Sequence, residues 1–147
     1  MKILFYILPL FAGIAMSIQA GVNSQLRSIL NNPLLAAFIS FITGTAALII
    51  MLLFSKKGLP LWEVYSGISW YKYTGGLLGV IVVVSVILSV PQIGAANMFV
   101  LIIAGQLLTA VILDHYGFLG MKTNTINLQK VIGIVFLIAG AYLVNKK

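Results

Sequence analysis

The sequence predicts an all-α integral membrane protein, a bundle of five transmembrane helices in one domain over residues 1–147. Hydrophobic residues make up 61% of the chain and charged residues only 7%, against about 45–50% and 25% in soluble domains. The chain contains five apolar runs, and a spanning helix needs about 20 mostly apolar residues. The strands of a membrane barrel would instead alternate over segments of about 10 residues, whereas these runs are longer and apolar on every face.

Breaker and basic residues separate the five predicted helices. Asn31-Asn32-Pro33 ends the first, since proline disfavours helix at the residue before it, and Pro91 separates the third from the fourth by a tight turn. Ser17-Ile18-Gln19-Ala20 resembles a signal-peptide cleavage site, but four further runs favour a retained first helix. The predicted helices cover about residues 3–25, 34–54, 72–90, 92–113 and 126–144.

The charged residues indicate a lipid environment rather than nucleic acid. The nine Lys and Arg residues lie between or beside the apolar runs, without a basic helix or patch, and the carboxylates are Glu63 and Asp114 alone. Basic residues so placed orient helices and contact lipid headgroups. With the N-terminus inside, the cytoplasmic side holds Lys2, Lys56, Lys57, Lys72, Lys122 and Lys130, and the other side holds Arg27, Lys146 and Lys147. The bias favours a cytoplasmic N-terminus but leaves dual topology possible.

Small residues recur at helical spacing and predict close helix packing. Without a hydrophobic drive between helices in lipid, small residues let backbones approach closely. Packing within one subunit, a subunit interface and a sliding surface all remain open for them. The predicted packing glycines are Gly13 and Gly21 with Ser17 between them, Gly75 and Gly79, and Gly133 and Gly140.

Polar side chains inside the apolar runs are the candidate pathway residues. Gln19 and Asn23 lie four apart on a face of the first helix away from the glycines, and the fourth helix carries Asn97 and Gln106 on opposite faces. An amide buried without a partner costs roughly 1–3 kcal/mol. These side chains should therefore meet a neighbouring helix, water or substrate. Ser40, Thr43 and Thr45 of the second helix could add to such a path, or bond their own backbone carbonyls.

Asp114 and His115, at the end of the fourth helix, form the notable titratable pair. They lie near the membrane interface, so two roles are open to them: a structural or topogenic role, through loop amides or Lys122, and proton or cation handling at a gate or interface. The sequence has no phosphate-binding glycine loop, paired carboxylates or metal cluster, and it contains no cysteine. These absences argue against an enzyme and imply no cofactor and no metal site.

Four motifs resemble the YdcZ-type family of the drug/metabolite transporter superfamily. The first runs from Gly13 to Leu26 in the pattern G-x-x-x-x-x-Q-x-x-x-N-x-Q-L. The others are Ser40-Phe41-Ile42-Thr43-Gly44, Gly105-Gln106-Leu107-Leu108 continuing to Asp114-His115-Tyr116-Gly117, and the pair Gly133 and Gly140. Together they span most of the chain.

The resemblance implies a bacterial inner-membrane protein that is half of a ten-helix inverted-repeat transporter. Such a half would pair with a second antiparallel copy or a paralogous five-helix chain, with the substrate site at the repeat interface. The four-helix multidrug relatives carry a glutamate in their first helix, and this chain has none there, which puts proton-coupled antiport by that chemistry in doubt. The resemblance identifies no common substrate.

The predicted function is small-molecule transport by alternating access, as an antiparallel homodimer or a paired heterodimer. Gln19, Asn23, Asn97 and Gln106 would line the pathway, with Asp114 and His115 at a gate or interface. The alternative is a non-transporting structural or accessory membrane subunit. A membrane enzyme is a third and weaker reading.

Overall fold

The computed structural model of the protein describes residues 3–55, 58 and 60–146, and these contain six α-helices and no strand. Five helical segments are long and apolar enough to cross a membrane, which confirms the all-α class and the number of spans. Lys2, Lys56, Lys57, Leu59 and Lys147 lie outside the described residues. The helices are α1 (Leu4–Leu30), α2 (Pro33–Leu53), α3 (Trp62–Ser66), α4 (Gly75–Ile93), α5 (Ala95–Tyr116) and α6 (Leu128–Asn145), with 3-10 turns at Trp70–Thr74 and Phe118–Gly120.

The chain divides into two compact units, Met1–Gln92 and Ile93–Lys147. The first holds α1 to α3 and nearly all of α4, and the second holds α5 and α6. Each unit has its own helix packing.

The turn between α1 and α2 follows from three consecutive residues. Asn31 adopts a left-handed conformation with φ 50° and ends α1. The side chain of Asn32 accepts hydrogen bonds from the amides of Leu34 and Leu35, at 3.0 and 3.1 Å, and so caps α2. Pro33 occupies the first helical position, where its missing N–H costs nothing. The predicted break at this point is confirmed.

Several helix boundaries differ from the sequence prediction; α5, for example, covers Ala95–Tyr116 rather than residues 92–113. Two of the differences have a clear physical reason. α1 continues to Leu30, past Arg27, because Gln, Leu and Arg are good helix formers even where the apolar run has ended. Pro91 lies inside α4, which continues to Ile93. Only the last two residues of the helix follow the proline, so a distortion there displaces little. The break falls at Gly94, whose φ of 80° suits glycine.

Alanines rather than glycines form the packing centre of the first unit. Ala36 and Ile87 are fully buried and Ala37 is nearly so. Leu26 and Leu30 of α1 and Val83 and Val84 of α4 pack against this cluster. The small side chains on α2 let α1 approach it closely and leave room for the α4 side chains to pack against it.

The aromatic stretch before α4 forms short helical turns. The rings of Trp62 and Tyr65 lie 6.2 Å apart, and the hydroxyl of Tyr73 donates to the Tyr65 carbonyl at 3.2 Å. Tyrosine and tryptophan at the end of a spanning helix suit the membrane–water interface.

In the second unit, the loop between α5 and α6 is fastened at both ends. On the α5 side, the amide of Asn124 donates to the backbone carbonyl of Asp114, in the last turn of α5, at 2.8 Å. At its end, Asn127 caps α6 by accepting from the Lys130 amide at 2.9 Å. The Lys130 ammonium donates to the carbonyls of Asn124 and Thr125, at 2.8 and 3.0 Å. These bonds hold the loop against the ends of both helices.

Gly117, which ends α5, has two reasons to be glycine. Its φ is 65°, and a Cβ there would lie 2.8 Å from the Thr123 hydroxyl and 3.3 Å from the Met121 carbonyl oxygen. Gly120 has a similar φ of 77°, but a Cβ there would meet nothing within 4 Å. Substitutions at these two glycines therefore distinguish the effect of backbone strain from that of side-chain crowding.

We expect Gly117→Ala to destabilise the protein more than Gly120→Ala. Both substitutions force alanine into the left-handed region, at a cost of about 1–2 kcal/mol, and only the first also displaces Thr123. Thermal unfolding of the purified variants in detergent measures the difference. Equal losses would show that the contact with Thr123 does not constrain the loop.

Candidate functional site

One face of α1 carries the two amide side chains predicted to line a pathway. Gln19 and Asn23 lie four residues apart, so one sits above the other at a spacing of roughly 6 Å. Asn23 is 4% exposed and is the one buried polar side chain among the described residues. Its amide forms no hydrogen bond with any residue that the structure describes. No buried side-chain nitrogen or oxygen among the described residues lacks a hydrogen-bond partner. The amide atoms of Asn23 therefore keep access to the space beside the helix, where water or a ligand can bond them.

A groove lies beside these amides, between α1 and α2, and it has two lobes. The larger lobe has a volume of about 690 Å³ and the smaller about 340 Å³. Gln19, Ser40 and Gly44 border both lobes, whereas Asn23 borders the larger alone. Volumes in this range suit small-molecule pockets, which measure about 300–1,000 Å³. The two lobes are lined by Ala15, Ile18, Gln19, Val22, Asn23, Leu26, Ile39, Ser40, Phe41, Thr43, Gly44, Thr45, Leu48 and Val83.

The hydroxyl groups near this groove fall into two kinds. Thr43 donates to the carbonyls of Ile39 and Ser40, at 3.1 and 2.9 Å, and Ser17 on α1 donates to the Gly13 carbonyl at 3.1 Å. These hydroxyls are satisfied by their own helices. The hydroxyls of Ser40 and Thr45 form no such bond to a described residue.

The chemistry of the groove is that of neutral hydrogen bonding. Its polar groups are two amides and three hydroxyls, and no charged side chain borders either lobe. Amides both donate and accept, so the groove can recognise an uncharged polar group in an apolar surround. Within the described part of the chain, no three His, Cys, Asp or Glu side chains come together as a metal site would need.

The other two predicted pathway residues are not part of this groove. Asn97 is partly buried and Gln106 is exposed, and both lie on α5 in the second unit. Neither borders the two lobes, which the first unit forms by itself. Their participation stays a prediction.

His115 has a defined hydrogen-bond partner in the second unit. Its Nδ1 accepts a hydrogen bond from the backbone amide of Ile126 at 3.2 Å, and its ring packs edge-on against Tyr116 with centroids 4.7 Å apart. The carboxylate of Asp114 forms no ion pair with Lys122 or any other described residue. His115 thus fastens the loop before α6, and a gate role for the pair stays a prediction.

Of the six glycines predicted to pack helices, Gly79 has a neighbour in its own unit. A Cβ there would lie 3.6 Å from the ring of Phe41 on α2. The structure shows no neighbour that a Cβ would touch at the other five positions, so a packing role for them requires a surface outside the described contacts. These positions are Gly13, Gly21, Gly75, Gly133 and Gly140.

Sequence reasoning found the amides but missed two other features of the first unit. Gly44 borders both lobes, and its lack of a side chain keeps space open where they meet. Its position in the Ser40–Gly44 motif was a signal from which the sequence could have indicated this. The second feature is a polar cavity beside Arg27. The sequence pattern had placed Arg27 only among the basic residues that orient the helices.

The fold defines a multi-pass helical membrane protein, and its first unit contains a groove with neutral polar side chains. The sequence profile of the family described as "Putative inner membrane exporter, YdcZ" matches residues 4–143, and the chain belongs to this family. The inner membrane protein YdcZ of Escherichia coli (strain K12) is 24% identical over 136 residues, which cover 92% of this chain and 91% of that protein. No solved structure matches the chain. The protein is accordingly a multi-pass protein of the inner membrane.

Proposed function

We propose that the chain is a subunit of a small-molecule exporter and that the groove between α1 and α2 is its substrate pathway. The observation that carries the proposal is Asn23, a 4% exposed residue whose amide bonds no described residue and which borders the larger lobe of the groove, of about 690 Å³. A side chain that only held the bundle together would be expected to bond a neighbouring helix. The family's description as an exporter supports the same reading.

The proposed mechanism is alternating access by an antiparallel pair of such chains. The partner would be a second copy or a paralogous five-helix chain, so that two halves form an inverted repeat and the α1–α2 groove of each would face the other chain. Asn97 and Gln106 would line the pathway from the second unit, Asp114 and His115 would lie at a gate or interface, and the exposed glycines would meet the partner.

The proposed orientation places the N-terminus in the cytoplasm. Six basic residues would then face the cytoplasm and three the periplasm, a modest bias in the direction of the positive-inside rule. We expect topology reporters fused after residue 147 to be mainly periplasmic. Comparable signals from both compartments would fit dual insertion and antiparallel pairing, whereas a wholly cytoplasmic signal would contradict five spans with the N-terminus inside.

Transport is tested by exchanging the buried amide for an apolar side chain of similar size. Proteoliposomes are loaded with a panel of uncharged and singly charged polar solutes, and mass spectrometry measures the loss of each solute with time. We expect wild-type protein to release at least one of them. Asn23→Leu should slow that release roughly threefold to tenfold, the effect of losing a substrate hydrogen bond of about 0.5–1.5 kcal/mol.

Ser17→Ala is the matched control on the same helix. Its hydroxyl bonds the Gly13 carbonyl and borders neither lobe, so release should be unchanged. Release that Asn23→Leu leaves intact would contradict the pathway assignment. Absence of release for every solute would favour the alternative, a non-transporting accessory subunit.

A further inference from the structure

A second, more polar cavity lies where α1 ends and α2 begins. Its volume is about 370 Å³, within the range of about 300–1,000 Å³ for small-ligand pockets. Four of its six lining residues are polar, and it shares no residue with the groove. It is lined by Ser24, Arg27, Ser28, Asn31, Pro33 and Pro91.

The polar side chains of this cavity have unused hydrogen-bonding capacity. Ser24 and Ser28 lie one helical turn apart, yet neither bonds the carbonyl four residues earlier, as Ser17 and Thr43 do. Arg27 is a partly buried residue, and its guanidinium has no acceptor among the described residues. Three donor side chains thus border one cavity on the same helix.

The charge at the cavity selects the kind of ligand. Glu63, the one carboxylate side chain among the described residues of the first unit, forms no ion pair with Arg27. A guanidinium offers five N–H donors in a planar fork that matches phosphate or carboxylate oxygens, and hydroxyl donors can complete the coordination of such an anion. The cavity is therefore complementary to an oxyanion.

Backbone groups at this end of α2 are already engaged. The side chain of Asn32 accepts hydrogen bonds from the amides of Leu34 and Leu35. The backbone carbonyl of Asn32 accepts one from the amide of Ala36 at 3.1 Å. Anion binding here consequently depends on the side chains of α1. Arg27 also lies in the last turn of α1, and the ends of a spanning helix of this length reach the headgroup region of a bilayer.

We propose that Arg27, Ser24 and Ser28 form a phosphate-binding site, which takes either the headgroup phosphate of an anionic phospholipid or a free phosphate. The site is independent of the proposed transport activity, because it uses a different cavity. Arg27 supplies the charge and the paired donors, and the two serines bind the remaining oxygens. The phosphate would be held against the ends of α1 and α2.

The experiment compares two phosphate sources on the purified full-length protein. Native mass spectrometry measures binding of phosphatidylglycerol against phosphatidylcholine, and calorimetry measures binding of inorganic phosphate. We expect Arg27→Gln to raise the Kd of whichever source binds by roughly 10- to 100-fold, since a hydrogen bond to a charged group contributes about 1.5–3 kcal/mol. Phosphatidylglycerol alone identifies a lipid site, and inorganic phosphate identifies a soluble ligand.

Lys122→Gln is the matched control for loss of one positive charge. Lys122 is exposed, so its substitution should change the Kd less than about twofold, the size of a screened surface charge effect. Equal losses from Arg27→Gln and Lys122→Gln would overturn the proposal, as would absence of binding to wild-type protein.

A second pair of variants keeps the test decisive if Arg27→Gln does not fold. Arg27→Lys keeps the charge and loses the fork, and the double variant Ser24→Ala/Ser28→Ala keeps the fork and loses the hydroxyls. Each should weaken phosphate binding roughly threefold to tenfold. Unchanged binding in both would contradict the site.

Discussion

Ala36→Leu, a substitution at the packing centre of the first unit, should strongly destabilise the protein. Ala36 is fully buried, with Ile87 of α4 and Leu26 and Leu30 of α1 packed around it. A leucine side chain has no room there, and overpacking a well-packed site costs about 1–3 kcal/mol and occasionally more. In lipid the cost extends further, because helices forced apart lose the close contacts that hold them together.

The matched control is Ala46→Leu, a substitution of the same chemistry ten residues along the same helix. Ala46 is exposed and borders neither lobe of the groove, so the larger side chain should be accepted there. Thermal unfolding in detergent and the yield of folded protein measure the difference. Equal midpoints for the two variants would mean that α2 does not pack through Ala36.

The sequence was sufficient for the fold class because the bilayer imposes its own length and composition on a spanning helix. Helix ends were also readable wherever a residue has a strong local preference. Asn31, Asn32 and Pro33 each favour a turn or a helix start, and their combined effect matches the observed break. The helix break predicted at Pro91 was wrong, because the break falls three residues later at Gly94, which adopts a positive φ.

The packing faces could not be derived in the same way. In a soluble protein, apolar periodicity marks the buried side of a helix. In a membrane helix the lipid side is equally apolar, so α2 gives no comparable contrast between Ala36, at the packing centre, and Ala46, at the surface. Glycine spacing was used in its place to predict the packing faces. Of the six predicted glycines, Gly79 alone has a described neighbour that a Cβ would touch.

The site was partly predictable for the opposite reason. An amide in an apolar helix is conspicuous because burying it without a partner costs free energy. Gln19 and Asn23 could therefore be selected from the sequence alone. That both border one groove, and that Ser40 and Gly44 lie opposite, depends on the antiparallel packing of α1 against α2. The same argument selected Asn97 and Gln106, but their surroundings depend on an arrangement that no sequence pattern specifies.

Water access to the groove follows from its role as a pathway, and single cysteines can measure it. The chain contains no cysteine, so each introduced thiol is read without background. Cysteine at Gln19 or Asn23 should contact the water of the groove. The matched control is Ile42→Cys on α2, between groove residues Phe41 and Thr43 in sequence, where the side chain is exposed and borders neither lobe.

The measurement is the rate at which a small, water-soluble methanethiosulfonate reagent modifies each thiol in proteoliposomes. The thiolate is the reactive form, and a thiol in lipid has a raised pKa and therefore a smaller thiolate fraction, about tenfold smaller for each unit. We expect the thiols at positions 19 and 23 to react at least about tenfold faster than the thiol at position 42, and a transported solute to slow them. Thiols at positions 19 and 23 that react no faster than the one at position 42, in folded variants, would contradict a substrate pathway between α1 and α2.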